Sequence, residues 1–89
     1  MFFVYVLRSN VNGHFYVGMS QDVANRVVQH NSGMTKSTKA YRPWVLFFHE
    51  AFSTRIEARK REVYLKSGIG KEFIKKKWLV EASGNFSTK

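Results

Sequence analysis

The sequence contains no cysteine, which excludes a disulfide framework and any metal site built on thiolates. A reducing compartment suits such a chain, and we expect a cytoplasmic protein. Long apolar runs are missing as well. The N-terminal apolar run covers only residues 2–7 and is followed by Arg8, so it predicts neither a signal peptide nor a membrane span.

Acidic residues are scarce: six Asp and Glu stand against fifteen Lys and Arg, for a formal net charge of +9. Clustered cations bind phosphates by releasing counterions, so nucleic acid is the leading class of partner. A solvated basic surface that keeps a small protein soluble is the alternative explanation. The hydrophobic content of 44% is too high for a disordered chain, so the 89 residues predict one small folded domain.

Two short apolar runs near the N-terminus predict a β-hairpin. Residues 2–7 and 14–18 are rich in aromatic and β-branched side chains, and turn-forming residues 10–13 separate them. The sequence fits either a two-residue turn at Asn12 and Gly13 or a four-residue loop over residues 10–13, and we favour the loop. The loop fixes which residues of the two strands lie opposite each other.

In this register, both hairpin tyrosines lie on one face of the sheet. Tyr5 pairs with Gly18 and Leu7 pairs with Tyr16, so the two tyrosines are diagonal neighbours at roughly 7 to 8 Å. Gly18 leaves open space beside Tyr5. By strand alternation, the opposite face carries only apolar side chains and is predicted to be core. A single strand tyrosine usually turns its hydroxyl to the surface, but two on one face favour a functional site.

The rest of the chain predicts three helices and a third strand. The helices cover residues 23–31, 55–67 with Thr54 as N-cap, and 71–80. Residues 44–48 form the strand; they are apolar without alternation and end at His49 and Glu50, as expected of a strand covered on both faces. Residues 81–89 are mostly small and polar, and they predict a disordered tail after a domain over residues 1–80.

Three polar side chains on these helices are candidates for a site. Arg26 and His30 are four residues apart and project together, although a surface pair is the commoner arrangement. The helix over residues 55–67 has two apolar pairs predicted to pack, Ile56/Val63 and Ala58/Leu65, and Glu62 falls inside the arc that they bound. Glu57, by contrast, is explained by a capping box with Thr54. An inward glutamate needs a cation, either an arginine or a metal ion.

The basic residues suggest where a polyanion binds. Residues 33–43 have no apolar periodicity and form a basic loop that contains Lys36, Lys39 and Arg42. We predict that these three side chains contact a phosphate backbone, with Lys66 and Lys71 as further candidates. Residues 68–71 resemble a phosphate-binding loop only superficially, which excludes a nucleoside triphosphate site. Residues 75–77 form a lysine run that we interpret as a solvated face.

This arrangement resembles the GIY-YIG nuclease domain, in particular its small stand-alone bacterial members, over residues 1 to about 80. Val4-Tyr5-Val6 stands at the first tripeptide of the family and Tyr16-Val17-Gly18 at the second. Arg26 and His30 follow at the family spacing, and Glu62 occupies the position of the metal-binding glutamate. The resemblance implies an α+β fold, in which about three helices flank a three-stranded antiparallel sheet in the order β-β-α-β-α-α.

The resemblance also implies hydrolysis of DNA phosphodiester bonds with one divalent cation, Mg²⁺ or Mn²⁺, on duplex, branched or single-stranded DNA. Glu62 would hold the cation as a hard oxygen ligand, and Arg26 would neutralise the non-bridging oxygens. Tyr16 would act as base or orient the attacking water, which Tyr5 would help to place. Because a phenol is a poor base at neutral pH, His30 and nearby cations are expected to favour the phenolate of Tyr16.

Two positions depart from the family pattern. Met19 stands where many active members carry a basic residue, and Ile74 stands where some carry an asparagine. A DNA-binding module that kept the fold and lost turnover is therefore the alternative, and a protein-interaction adaptor with a basic surface is a third interpretation. Retention of Glu62 and of both tyrosines favours the enzyme, since phosphate binding alone needs neither a buried carboxylate nor paired phenols.

Overall fold

The computed structural model describes residues 1–87, and the side chains of residues 1–82. It has an α+β fold whose sheet is three-stranded and antiparallel, with the order β2-β1-β3. The predicted fold class and element order are confirmed, with one short 3₁₀ helix added. The elements are β1 (Phe2–Ser9), β2 (Phe15–Ser20), α1 (Val23–Ser32), the 3₁₀ helix (Lys39–Tyr41), β3 (Trp44–Phe52), α2 (Arg55–Lys66) and α3 (Gly68–Ser87).

The hairpin of β1 and β2 has the predicted four-residue loop. The Ser9 N–H donates to the His14 carbonyl over 2.8 Å, and Tyr5 pairs with Gly18. Gly13 adopts a φ of 75°, a left-handed conformation that glycine reaches without steric cost. The register therefore places both tyrosines on one face, as predicted.

Helices cover both faces of the sheet. The face predicted to be core packs against α2 and α3, and its buried cluster consists of Val4, Val6, Val17, Ala58, Leu65 and Ile74. Each large apolar side chain buried there contributes about 1.5 to 3 kcal/mol. The opposite face lies beneath α1, where Tyr5, Leu7 and Trp44 are buried. The tyrosines thus lie between the sheet and a helix, in surroundings from which water is partly excluded.

The third strand is longer and more exposed than predicted. It continues to Phe52 and does not end at residues 49–50. Because β3 pairs only with β1, it is an edge strand, and the side chains of Val45 and Leu46 are 49% and 36% exposed. The expectation that both of its faces are covered is wrong.

A β-bulge explains the missing alternation in β3. The pairing shifts between Val6 and Leu7 of β1, which face Phe48 and Leu46, so Phe47 is left as the extra residue. A bulge lets two consecutive side chains turn to the same side of a sheet. Phe47 and Phe48 accordingly both pack against the cluster under α2 and α3.

The predicted caps of α1 and α2 are present, but one predicted apolar pair of α2 is not buried. Thr54 accepts the Glu57 N–H over 3.2 Å and begins α2. The helix faces the sheet along Ala58, Glu62 and Leu65, which recur at helical spacing. Ile56 and Val63 lie on the far side and are 70% and 59% exposed, so their predicted packing is wrong.

Helix α3 begins at Gly68 and continues to Ser87, whereas the prediction was residues 71–80. The helix begins before Lys71 because Ser67 is its N-cap: the Ser67 hydroxyl accepts the Gly70 N–H and the Ser67 carbonyl accepts the Lys71 N–H. Residues 81–87 of the segment predicted as a disordered tail therefore lie in α3, and residues 88–89 lie outside the described part. The domain boundary near residue 80 stays a prediction. No helix within residues 1–87 is long and apolar enough to cross a membrane.

Candidate active site

Tyr5 leans across β2 at Gly18. Its side chain is fully buried, and a Cβ built at Gly18 would overlap the Tyr5 hydroxyl and ring. Glycine is therefore required at this position for the close approach of a ring and not for an unusual φ angle. The open space predicted beside Tyr5 is filled by its own phenol, which reaches the edge of the sheet at β2.

Gly18→Ala is expected to lower the free energy of unfolding by about 1 to 3 kcal/mol, because the Tyr5 ring must shift within a packed interior. Gly68→Ala is the control, since nothing lies within 4 Å of a Cβ at Gly68. Urea unfolding of the two variants measures the difference. Equal stability would contradict the packing of Tyr5 on Gly18.

A chain of hydrogen bonds leads from Tyr5 to Thr38. The Tyr5 hydroxyl lies 3.0 Å from His30 Nε2, and His30 Nδ1 lies 2.8 Å from the Thr38 hydroxyl. Thr38 donates its own proton to the Thr35 carbonyl over 3.3 Å, so it accepts from His30 Nδ1–H. This assigns His30 as the neutral tautomer protonated at Nδ1, with the Tyr5 hydroxyl donating to Nε2.

Burial keeps Tyr5 and His30 neutral. It raises the pKa of the Tyr5 hydroxyl, and the hydrogen bonding and charge of Arg26 only partly oppose this shift. Burial also lowers the pKa of His30, with the charge of Arg26 acting in the same direction. Both ring nitrogens of His30 form hydrogen bonds to residues other than Tyr16, namely Tyr5 and Thr38. The expected help of His30 and nearby cations to the phenolate of Tyr16 stays a prediction, and it would have to come from the ring contact of His30 with Tyr16 and not from a hydrogen bond.

The stability of the protein is expected to fall as the pH drops below about 6.5, the ordinary pKa of histidine. The folded-state pKa of His30 is lower, so the unfolded chain binds this proton first and gains free energy from it. The slope approaches about 1.4 kcal/mol per pH unit until the folded-state pKa is reached. Unfolding measured between about pH 7.5 and 5.5 tests this.

A double variant of the two exposed histidines, His14→Gln with His49→Gln, is the control and should keep the slope. A flat profile in the wild type, or a slope that disappears in the double variant, would contradict the assignment to His30.

Tyr16 is half-buried and lies beside His30 and Tyr5. Its ring lies 4.8 Å from the His30 ring, 6.4 Å from Tyr5 and 6.2 Å from Trp44, measured between centroids. Arg26 hydrogen-bonds the side chain of Tyr5 and interacts electrostatically with both tyrosines. Within the described part of the chain, the buried Nε of Arg26 has no hydrogen-bond partner, while its Nη1 donates to Gln29 over 3.1 Å. A guanidinium next to a phenol is suited to bind an oxyanion.

Glu62 is buried, as predicted, with 6% of its surface exposed. Its two oxygens accept from Arg59 Nη1 and Lys66 Nζ, each over 3.1 Å, so its cationic partners lie on its own helix. Both partner side chains are more than half exposed. The charge of Glu62 contributes to the raised pKa of Tyr5, so the carboxylate acts on the tyrosine site.

The donor set fits one hard divalent cation. Residues 1–87 contain no group of three or more His, Asp or Glu that could hold a metal ion. A single carboxylate is nevertheless a normal protein contribution to a Mg²⁺ shell that otherwise keeps water and substrate oxygens. Because Arg59 and Lys66 are exposed, each can turn away and free an oxygen of Glu62.

The predicted DNA-contacting residues lie in two regions. Lys36, Lys39 and Arg42 are exposed on the loop before β3. The Ser9 hydroxyl donates to the Tyr41 carbonyl over 2.7 Å and anchors this loop to the hairpin. Lys66 and Lys71 instead line a groove between β2 and the helices, next to Tyr16.

Sequence reasoning missed four residues that shape the site. Trp44 Nε1 donates to the Thr38 carbonyl over 2.8 Å. The side-chain amide of Asn31 donates to the Trp44 carbonyl and accepts the Trp44 N–H. These bonds hold the loop so that Thr38 meets His30. Lys75, which we interpreted as part of a solvated face, lines the same groove as Lys66 and Lys71. Short sequence patterns carry no signal for contacts between such distant residues.

Fold and site together define the class of protein: a small, basic α+β domain in which two tyrosines, a histidine and an arginine cluster between the sheet and α1. A family model described as the GIY-YIG catalytic domain matches residues 1–77. The chain therefore belongs to the GIY-YIG family, which is a nuclease family.

Small bacterial proteins are similar over most of the chain. A UPF0213 protein of Staphylococcus epidermidis is 39% identical over 74 residues, which covers 82% of this chain and 89% of the relative. A UPF0213 protein of Staphylococcus aureus is 41% identical over 66 residues, or 73% and 79% of the two chains. The solution NMR structure of a UPF0213 protein from Bacillus halodurans aligns with a TM-score of 0.51 and 33% identity, over 83% of this chain and 82% of that one.

Proposed function

We propose that this protein is a divalent-cation-dependent endonuclease that hydrolyses phosphodiester bonds of DNA. The observation that carries the proposal is that charged groups from two helices act on the tyrosine pair. Arg26 interacts electrostatically with both Tyr5 and Tyr16, and the buried carboxylate of Glu62 interacts with Tyr5. Membership of a nuclease family supports the reaction class, and these residues give it a mechanism.

Each residue has a role that its surroundings suit. Tyr16 acts on the attacking water, since its ring is the half-buried member of the tyrosine pair. As the phenolate it would take the proton of the water, and as the neutral phenol it would orient the water by a hydrogen bond. Arg26 supplies a fixed positive charge beside the tyrosines that would neutralise the non-bridging oxygens. Glu62 would hold Mg²⁺ or Mn²⁺, which would stabilise charge on the leaving oxygen. Preorganisation of these groups in a partly dry site increases the effect of each.

Tyr5, His30 and Thr38 are assigned positioning roles. Tyr5 and His30 are fully buried and hydrogen-bond each other. His30 also bonds Thr38, and Tyr5 also bonds Arg26. The expectation that Tyr5 places the attacking water is accordingly replaced: Tyr5 and His30 hold α1 against the hairpin. They thereby fix the distance between Arg26, which lies four residues before His30, and Tyr16, which lies eleven residues after Tyr5.

The decisive experiment incubates purified protein with duplex, branched and single-stranded DNA in Mg²⁺, Mn²⁺ or a chelator. Metal-dependent cleavage that stops in the chelator is the expected result. Cleavage that is indifferent to metal would contradict the role of Glu62. A protein adaptor with a basic surface would show no salt-dependent DNA binding at all.

DNA binding without turnover is the second candidate function. Both oxygens of Glu62 are paired with Arg59 and Lys66, which would compete with a metal ion. Ile74, at a position where some family members carry asparagine, is 1% exposed and supplies only packing. Binding of every DNA substrate, with no cleavage in either metal, would select this candidate.

Lys36→Ala or Lys39→Ala is expected to reduce the slope of log affinity against log salt by about 0.7 to 0.9, because each removes one phosphate contact. Sequence preference should not change. Lys60→Ala is the control: it removes the same charge from the exposed side of α2 that also carries Ile56 and Val63. Equal slopes in all three variants and the wild type would move the binding surface away from the loop.

A further inference from the structure

A groove of about 460 Å³ lies beside Tyr16, between β2 and the helices α2 and α3. Its walls combine apolar side chains with lysines. The apolar lining residues are Phe15, Val17, Leu65 and Ile74, and the lysines are Lys66, Lys71 and Lys75. A second depression adjoins it at Phe15 and Lys75 and leads to Arg8 and Trp78. The groove is large enough for a small ligand such as a nucleotide.

The lysines leave the groove strongly positive. Lys66 pairs with Glu62, and Lys75 reaches Glu72 only at 3.9 Å on an exposed part of α3. Lys71 forms no ion pair with any residue of the described chain. An apolar surface next to cations complements a ligand that carries an aromatic ring and a phosphate.

The apolar lining distinguishes unpaired from paired nucleotides. In a duplex, the faces of the bases are stacked and only their edges reach a protein. An unpaired base can turn its face towards an aromatic side chain, and such contacts bind single strands without strong sequence preference. Phe15 is the aromatic side chain that both the groove and its extension share.

We propose that this groove binds an unpaired nucleotide of the DNA strand, adjacent to the phosphate held at Tyr16 and Arg26. The base lies against Phe15 and the neighbouring apolar surface, and its phosphate lies at Lys71 and Lys75. The inference rests on the proposed function and deepens it, because it narrows the substrate to DNA with an unpaired segment, such as a branch or a bulge.

The test measures binding in a chelator, so that cleavage cannot contribute. Fluorescein-labelled duplexes of one sequence, either fully paired or with a bulge of 2-aminopurine, are titrated with the protein. We expect the bulged duplex to bind roughly tenfold more tightly, with a change in 2-aminopurine fluorescence on binding. The groove variant is Lys71→Ala with Lys75→Ala. The matched control is Lys60→Ala with Lys76→Ala, which removes the same charge at exposed positions outside the groove.

The ratio of the two affinities is the decisive readout. The groove variant should lose most of the preference for the bulged duplex, whereas the control should change both affinities little and keep the ratio. Phe15→Leu keeps an apolar side chain but removes the ring, and should lower the ratio severalfold without changing the salt slope. If this variant fails to fold in a thermal melt, the lysine pairs still decide.

Equal affinity of the wild type for both duplexes, or equal loss of the preference in the groove variant and the control, would overturn the inference. Those outcomes do not affect the cleavage assay, so the proposed nuclease activity could still be correct if the groove does not bind an unpaired nucleotide. Conversely, if the protein prefers the bulged duplex through Lys71 and Lys75 but cuts no DNA, the inference about the groove is supported and the proposed nuclease function is contradicted.

Discussion

Tyr16→Phe is expected to lower the rate of DNA cleavage by about 10² or more, the usual scale for a group that handles a proton in the rate-limiting step. The variant loses one hydroxyl from a half-buried ring that packs against His30 and Trp44. Those ring contacts remain in phenylalanine, so stability and DNA affinity should change little. Single-turnover cleavage in excess Mg²⁺ measures the effect without interference from product release.

Tyr64→Phe is the matched control for this prediction. Tyr64 is 38% exposed on α2 and its ring contacts Arg61, away from the tyrosine pair. The control should cut DNA at the wild-type rate. If both tyrosine variants cut as fast as the wild type, the cleavage originates at another site or in a contaminant, and the role assigned to Tyr16 is wrong.

Glu62→Gln is expected to reduce cleavage by about 10² to 10⁴, because a bound cation contributes several kcal/mol of charge stabilisation in the transition state. Glutamine keeps the shape of the buried side chain but is a weak ligand for a hard cation. Arg59 and Lys66 lose their shared partner and become available to phosphate. DNA affinity in a chelator should therefore stay the same or rise.

The rate as a function of Mg²⁺ concentration is the measurement that isolates the metal. Glu72→Gln, on the exposed surface of α3, is the control with the same change in charge. We expect the control to follow the wild-type titration and Glu62→Gln to show little response to Mg²⁺. A titration curve that is unchanged in Glu62→Gln would place the cation on other ligands.

Interactions close together in the sequence were predictable. The caps at Thr54 and at Ser20-Gln21-Asp22 depend on side chains that bond backbone groups a few residues away, so short patterns identify them. The hairpin loop sets the pairing of Tyr5 with Gly18 for the same reason. Glu62 was identifiable because helical geometry alone places it among Ala58 and Leu65.

The errors concern elements whose surroundings come from distant parts of the chain. An apolar run such as residues 44–48 fits a covered strand, but the bulge at Phe47 and the edge position of β3 determine its exposure. Periodicity marked Ile56 and Val63 as a packed pair, although no element of residues 1–87 covers that side of α2. Periodicity shows which side chains share a face and does not show what lies opposite that face.

By itself, the sequence determined the order of elements, the register of the tyrosine hairpin, the inward turn of Glu62 and the cationic character of the protein. All of these depend on local backbone geometry or on composition. Only the tertiary structure decided that His30 is neutral and holds Tyr5, that Thr38 completes their hydrogen-bond chain, and that Lys75 joins Lys66 and Lys71 beside Tyr16. Burial, a hydrogen-bonded tautomer and the lining of a groove arise from packing between elements, because each requires groups that only the folded chain brings together.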